Sequence, residues 1–247
     1  MAWLWPVVAA PFVGSLLGVL IRRLPAGRPV LWGRSVCESC GRPLGPADLV
    51  PLASYLALHG SCRHCGARIP PFHPVIELAA LAVALSAIVP GDGVARIWAG
   101  CALGWTLLAL AWIDAEHLYL PDALTLPLVV AGLLATWFLA PGMLADHALG
   151  AAVGWLALWA VAAAYRLVRG REGLGQGDAK LLAAAGAWLG WQVLPWVILL
   201  AALGGLAWAL ARQVRGQLLS AATVLPFGPC LAAATWLLWL LGPGLSG

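Results

Sequence analysis

The sequence predicts an all-α protein: a polytopic membrane bundle of about eight transmembrane helices, with one small cytoplasmic loop domain that binds zinc. Three observations carry this. Of 247 residues, 62% are hydrophobic and 10% charged, with a mean hydropathy of +0.91; an average soluble domain has roughly 25% charged residues. The apolar residues fall in runs near the length of about 20 that a spanning helix needs. The polar residues gather in one stretch, 22–73, which holds half of the 14 Lys and Arg. These properties exclude a soluble enzyme, a nucleic-acid binder and a disordered chain.

Residues 2–21 form the first span. Arg22 and Arg23 follow its apolar run instead of preceding it, and no small-residue cleavage site stands out. The segment is therefore expected to be a retained helix with its N-terminus outside, not a secretory signal. Residues 22–73 form the cytoplasmic domain and 74–247 the remaining bundle. Spans are expected at 74–90, 94–113, 121–140, 146–165, 192–211 and 222–242. An eighth run, about 179–190, is short and closes at Gly190-Trp191. Cytoplasmic loops carry the excess of Lys and Arg. With 22–73 inside, alternation places every Lys and Arg except Arg96 in an inside loop or its flank. Removing the eighth span would move Arg212 and Arg215 outside, so both termini are expected outside. The pairs Gly14/Gly18, Gly100/Gly104, Gly150/Gly154 and Gly186/Gly190 have the spacing that lets helices approach closely.

Acidic residues are costly in a membrane and mark function there. Asp114 ends the third span and Asp178 opens the eighth run, and alternation puts both at the cytoplasmic edge. Two facing carboxylates suit acid–base hydrolysis: one accepts a proton from water while the other donates one to the leaving amine. Gly173, Gly175 and Gly177 leave the backbone before Asp178 bare, so Gly175 and Gly177 are candidate contacts for an extended substrate strand. On the residues alone, a helix-capping Asp178 and an Asp114 reaching to water remain open. Asp122 follows Pro121 at a helix start and is expected in a first turn, outside the chemistry.

Cys37-x-x-Cys40 and Cys62-x-x-Cys65 have the spacing of a four-thiolate zinc site. Thiols stay reduced in the cytoplasm, which favours Zn2+ over two disulfides or a redox pair. A closed site has no open position for water, so the metal is structural and folds a loop that lacks a core. Gly41 and Gly66 follow the knuckles as tight turns need. His59 and His73 are alternative ligands, and Cys101 and Cys230 sit alone in apolar runs.

Six motifs, in order, carry a resemblance: Pro11-Phe-Val-Gly-Ser15 with Arg23-Leu24-Pro25; the cysteine pairs around Asp48-Leu-Val-Pro51; His73-Pro74-Val-Ile-Glu77; Ile113-Asp114 to Pro121-Asp122; Gly175-Gln-Gly177-Asp178-x-Lys180; and Leu225-Pro226-Phe227-Gly228-Pro229. Together they resemble the type IV prepilin peptidases, the bifunctional leader peptidase/N-methyltransferases of bacterial inner membranes, whose class of intramembrane aspartic protease carries a GxGD motif. The resemblance implies Asp114 and Asp178 as the catalytic pair, and prepilins or pseudopilins as substrates cut at the cytoplasmic face. It also implies S-adenosyl-L-methionine as the donor that methylates the new N-terminus. Single-function relatives usually lack the cysteine loop that this chain keeps. Glu77, a carboxylate at a helix start beside that loop, is a candidate for the methyl-donor site; the alternative is an ion pair with a loop Arg. The partners expected are the prepilin substrate and the lipid bilayer, with no nucleic acid. Competing readings are a peptidase without methyltransferase activity, a proton-coupled transporter with intramembrane aspartates, and a zinc-loop scaffold.

Overall fold

The structure is a computed structural model that describes residues 2–30, 32–90, 93–170, 175–216 and 226–242. Gly173 and Leu225 of the motifs, and residues 222–225 of the last expected span, lie outside the described residues. The described residues include nine α-helices: α1 Trp5–Arg23, α2 Ala53–Ala57, α3 Phe72–Ile88, α4 Val94–His117, α5 Asp122–Leu139, α6 Leu144–Arg169, α7 Gln176–Leu189, α8 Leu194–Val214 and α9 Gly228–Leu241. Local chemistry sets their ends. Pro stands in the first two positions of α1, α8 and α9, where its missing N–H has no intrahelical partner to lose. Arg22 and Arg23, Arg166 and Arg169, and Arg212 occupy the last turns of α1, α6 and α8, where cations face the negative end of the helix dipole.

Among the described residues, five helical segments are long and apolar enough to cross a membrane: Ala2–Arg23, Val94–His117, Asp122–Leu139, Pro141–Arg169 and Trp191–Val214. Helices α3 and α9 are apolar but shorter. Length among the described residues thus does not confirm the expected count of about eight. The expected eighth span is α7, with 14 residues; at 1.5 Å per residue that is about 21 Å, short of the roughly 30 Å hydrocarbon layer. The reason is visible in its burial. Asp178, Ala179 and every residue from Leu181 to Trp188 are buried in protein. A helix that is apolar all round is wrapped by neighbours, and hydropathy does not separate such wrapping from contact with lipid.

The chain forms two compact units, Met1–Ala109 and Leu110–Gly247. In the first, α1 packs along α3. A side chain on Gly14 would bring its Cβ within 2.6 Å of the Glu77 Cα, so the two backbones touch there. The Trp105 indole N–H donates to the Ala80 carbonyl at 2.9 Å. In the second unit α5, α6, α8 and α9 pack on α7. A Cβ on Gly150 would lie 2.6 Å from the Gly186 carbonyl oxygen, and one on Gly154 2.6 Å from that of Leu182. Gly14, Gly150, Gly154 and Gly186 therefore serve helix contact, as their spacing predicts. Buried polar groups pin the same helices. The Trp188 N–H donates to the Leu128 carbonyl at 2.9 Å. His147 Nδ1 lies 2.9 Å from the Ala187 carbonyl oxygen and 3.0 Å from the Thr136 hydroxyl. A carbonyl only accepts, so Nδ1 carries the proton.

Candidate active site and thiolate cluster

Asp114 sits in the last turn of α4 and Asp178 in the first turn of α7; both are buried. Each is held by backbone. Asp114 Oδ2 accepts the Gly228 N–H at 2.9 Å, and the Gly175 N–H faces the Asp178 carboxylate. The two carboxylates are within electrostatic reach of each other. They meet because of the turn after α4. Leu118 has φ +52°, which reverses the chain and lays Leu120 against the start of α7. A Cβ on Gly177 would sit 2.7 Å from the Leu120 Cβ. The bare Gly177 therefore admits this close contact. A Cβ on Gly175 would lie 3.5 Å from Asp178 Oδ2, ordinary contact. Asp122 takes the first position of α5, as its place after Pro121 predicts, and forms an exposed ion pair with Lys180.

Gly228, within the last sequence motif, makes a contact with Asp114 that the motif does not announce. A Cβ there would lie 2.6 Å from Asp114 Oδ2 and 2.8 Å from its Cγ. Only glycine lets this N–H meet the carboxylate. The signal was a Gly-Pro pair opening an apolar helix, which alone says only that a helix begins.

In the first unit the four cysteines converge. The sulfurs of Cys37, Cys40, Cys62 and Cys65 all lie within 4.8 Å of one another, and those of Cys37 and Cys65 are 3.9 Å apart. Four thiolates around one zinc at about 2.3 Å would stand about 3.8 Å apart, whereas a disulfide needs about 2.0 Å. The cysteines are free thiols, and the donor set fits a metal ion. His59 and His73 are not in the cluster. The two knuckles repeat one geometry. Cys37 N–H bonds the Arg42 carbonyl and Gly41 N–H the Cys37 carbonyl; Cys62 with Ala67 and Gly66 with Cys62 do the same, all at 2.8–2.9 Å. Isolated antiparallel bridges, Val36 with Pro43 and Ser61 with Arg68, flank them. Gly41 and Gly66 have φ +68° and +70°, left-handed values that glycine adopts without a steric penalty. The Cys40 and Ser39 N–H groups pull the Cys37 thiol down to about 6, which prepares a thiolate. Asp48 braces the second knuckle. It accepts the Gly45 N–H at 3.1 Å and pairs with Arg63 at 2.9 Å, and these partners hold its carboxyl below the usual range.

Glu77 lies in the second turn of α3, buried, with Oε2 accepting the Leu52 N–H at 2.7 Å. The sequence alternative, an ion pair with a loop Arg, is replaced by this backbone bond.

These features define a multi-pass helical membrane protein with a buried aspartate pair in one unit and a thiolate cluster in the other. The family model described as "Type IV leader peptidase family" matches residues 101–210, and that described as "Bacterial Peptidase A24 N-terminal domain" matches residues 8–90. A prepilin leader peptidase/N-methyltransferase from Burkholderia pseudomallei (strain 1026b) is 39% identical over 92% of this chain and 81% of its own length. Proteins of the same name from Pseudomonas aeruginosa and Aeromonas hydrophila are 39% and 38% identical, over 95% of this chain and 88% and 89% of their own. No solved structure matches the chain significantly. The chain belongs to the type IV leader peptidase family.

Proposed function

We propose that this protein removes the leader of type IV prepilins or pseudopilins at the cytoplasmic face of the bacterial inner membrane, then methylates the new N-terminal amine with S-adenosyl-L-methionine. The observation that carries this is the buried pair Asp114 and Asp178, which lie within electrostatic reach of each other, with Asp114 Oδ2 accepting the Gly228 N–H. In the cleavage step one carboxylate takes a proton from water as the oxygen attacks the scissile carbonyl. The other, protonated, donates to the carbonyl oxygen, and the proton is then passed to the leaving amine as the C–N bond breaks. Asp114 Oδ2 is occupied by Gly228, so Oδ1 is the oxygen that meets water. The aspartates stand at a helix end and a helix start, unlike the mid-span acids of a proton relay. The zinc-binding role falls to Cys37, Cys40, Cys62 and Cys65, and residues 22–73 serve methyl transfer. The reading is tested by incubating the purified protein with a prepilin and S-adenosyl-L-methionine and weighing the product. A mature pilin carrying one added methyl group supports it; an uncut prepilin overturns it.

Zinc is expected at about one ion per chain, and Cys37→Ser or Cys65→Ser should lower it to near zero with loss of methylation. Elemental analysis of purified protein checks this; zinc-free wild type that still methylates rules out the structural metal.

On this reading the cysteine loop and the aspartates face the cytoplasm, an orientation that the charge asymmetry supports. A membrane-impermeant thiol reagent should spare Cys37, Cys40, Cys62 and Cys65 in intact spheroplasts and label them in chelator-treated inverted vesicles. A reporter fused after Gly247 should be periplasmic if α7 crosses and the span number is even. Labelling of the loop from outside would separate the carboxylates from a basic leader by about 30 Å of hydrocarbon.

A further inference from the structure

The Met1–Ala109 unit contains a cavity of about 320 Å³, bounded by the end of α1, the start of α3, α2 and the two knuckles. It is of the size at which small-molecule sites begin, about 300 Å³, and the cleavage chemistry makes no use of it. Glu77 lines it. A carboxylate this buried is unfavourable without a cationic partner, yet among the described residues its one bond is to the Leu52 N–H at 2.7 Å. Leu52 has φ +59°, a left-handed value that is strained for a leucine, and the strain aims that N–H at Glu77. The carboxylate is also fixed from behind, because Gly14 of α1 touches the Glu77 backbone. The second oxygen is left for an occupant.

The cavity wall carries six arginines, but most are engaged. Arg63 pairs with Asp48. Arg23 donates to the Pro29 and Trp32 carbonyls and Arg28 to that of Arg22. Arg22 lies over the Phe72 ring at 4.1 Å. Arg34 and Arg68 have no hydrogen bond or ion pair among the described residues. Tyr55, packed against Gly60, supplies an aromatic face. One buried carboxylate, two rim guanidinium groups and a ring match a ligand that has a cationic centre, a carboxylate and a flat heterocycle.

We infer that this cavity is the methyl-donor site, with Glu77 against the sulfonium and ammonium end of S-adenosyl-L-methionine and Arg34 and Arg68 toward its carboxylate. The inference rests on the methyl-transfer reading above. In that transfer the free N-terminal amine attacks the methyl carbon, the C–S bond breaks with its electron pair going to sulfur, and the amine proton leaves to water. The sulfur loses its positive charge, so Glu77 holds the donor more tightly than the thioether product.

The test uses the full-length, metal-loaded protein in neutral detergent. Equilibrium dialysis with labelled S-adenosyl-L-methionine should show binding that Glu77→Gln weakens about tenfold or more, the size of a lost charge-assisted contact. Binding of S-adenosylhomocysteine should fall by a smaller factor. Metal content and melting temperature verify that the variant is folded. A measurement on wild type needs no variant: a photoreactive adenine analogue of the donor should label peptides within 34–77. Labelling only within 110–242, or unchanged binding in Glu77→Gln, overturns the site while leaving methylation by the wild type intact. Wild type that neither binds nor transfers methyl overturns the function itself. Competition for the cavity by phosphatidylglycerol, lost in the Arg34→Gln/Arg68→Gln double variant while donor binding is unchanged, makes it a lipid site and also overturns the inference.

Discussion

Asp178→Asn is expected to reduce prepilin cleavage by about 10³-fold or more, and Asp114→Asn likewise, with the protein still folded in the membrane. General acid–base catalysis contributes about 10²–10⁴-fold, and one carboxylate cannot be both the proton acceptor for water and the donor to the leaving group. Asparagine keeps the volume and can still accept the Gly228 or Gly175 N–H at either position, so lost activity is not lost packing. Asp122→Asn is the contrast. Its ion pair with Lys180 is exposed, and such pairs contribute about 0–1 kcal/mol; substantial cleavage should remain. Initial rates on a purified prepilin in detergent, read by loss of the leader, decide it. Near-normal cleavage by Asp178→Asn would exclude the aspartic mechanism.

The pair was legible because charge in an apolar chain is conspicuous. Asp114 and Asp178 lie 64 residues apart in sequence, and the alternation of Lys and Arg between loops led to the expectation that they share one membrane edge. The cysteine knuckles were legible for a similar reason: their spacing is local, and Gly41 and Gly66 announce the left-handed turns. Burial by protein was not legible. Hydropathy treats α7 as a poor span because it sees an apolar run of the wrong length, when the run is apolar because α5, α6, α8 and α9 pack on it. Tertiary backbone contacts were equally hidden. Nothing in Leu52 or Gly228 declares that its N–H will meet a distant carboxylate, because such bonds depend on chain path and not on residue type.

Gly228 is where the effect of that hidden layer on cleavage can be tested. Gly228→Ala should lower cleavage by on the order of 10²-fold, the loss that follows a displacement of about 1 Å in a reacting group. The added Cβ would come 2.6 Å from Oδ2, 2.8 Å from Cγ and 3.0 Å from Cβ of Asp114. The methyl meets the whole carboxylate, so a small rotation of one oxygen does not relieve it. Either Asp114 leaves its rotamer or α9 retreats; both break the 2.9 Å N–H bond and re-aim Oδ1. Helix propensity works the other way, since alanine is favoured over glycine by about 1 kcal/mol in a helix, so an unfolded α9 is not the expected cause. Gly205→Ala in α8, where no atom lies within 4 Å of the new Cβ, is the matched control and should cleave normally. The two variants differ in what the added methyl touches. Equal cleavage rates would mean that the Gly228 clasp does not position Asp114 for the reaction, whereas loss at Gly228 alone, with KM little changed and kcat reduced, assigns the backbone of the last helix to holding the catalytic carboxylate.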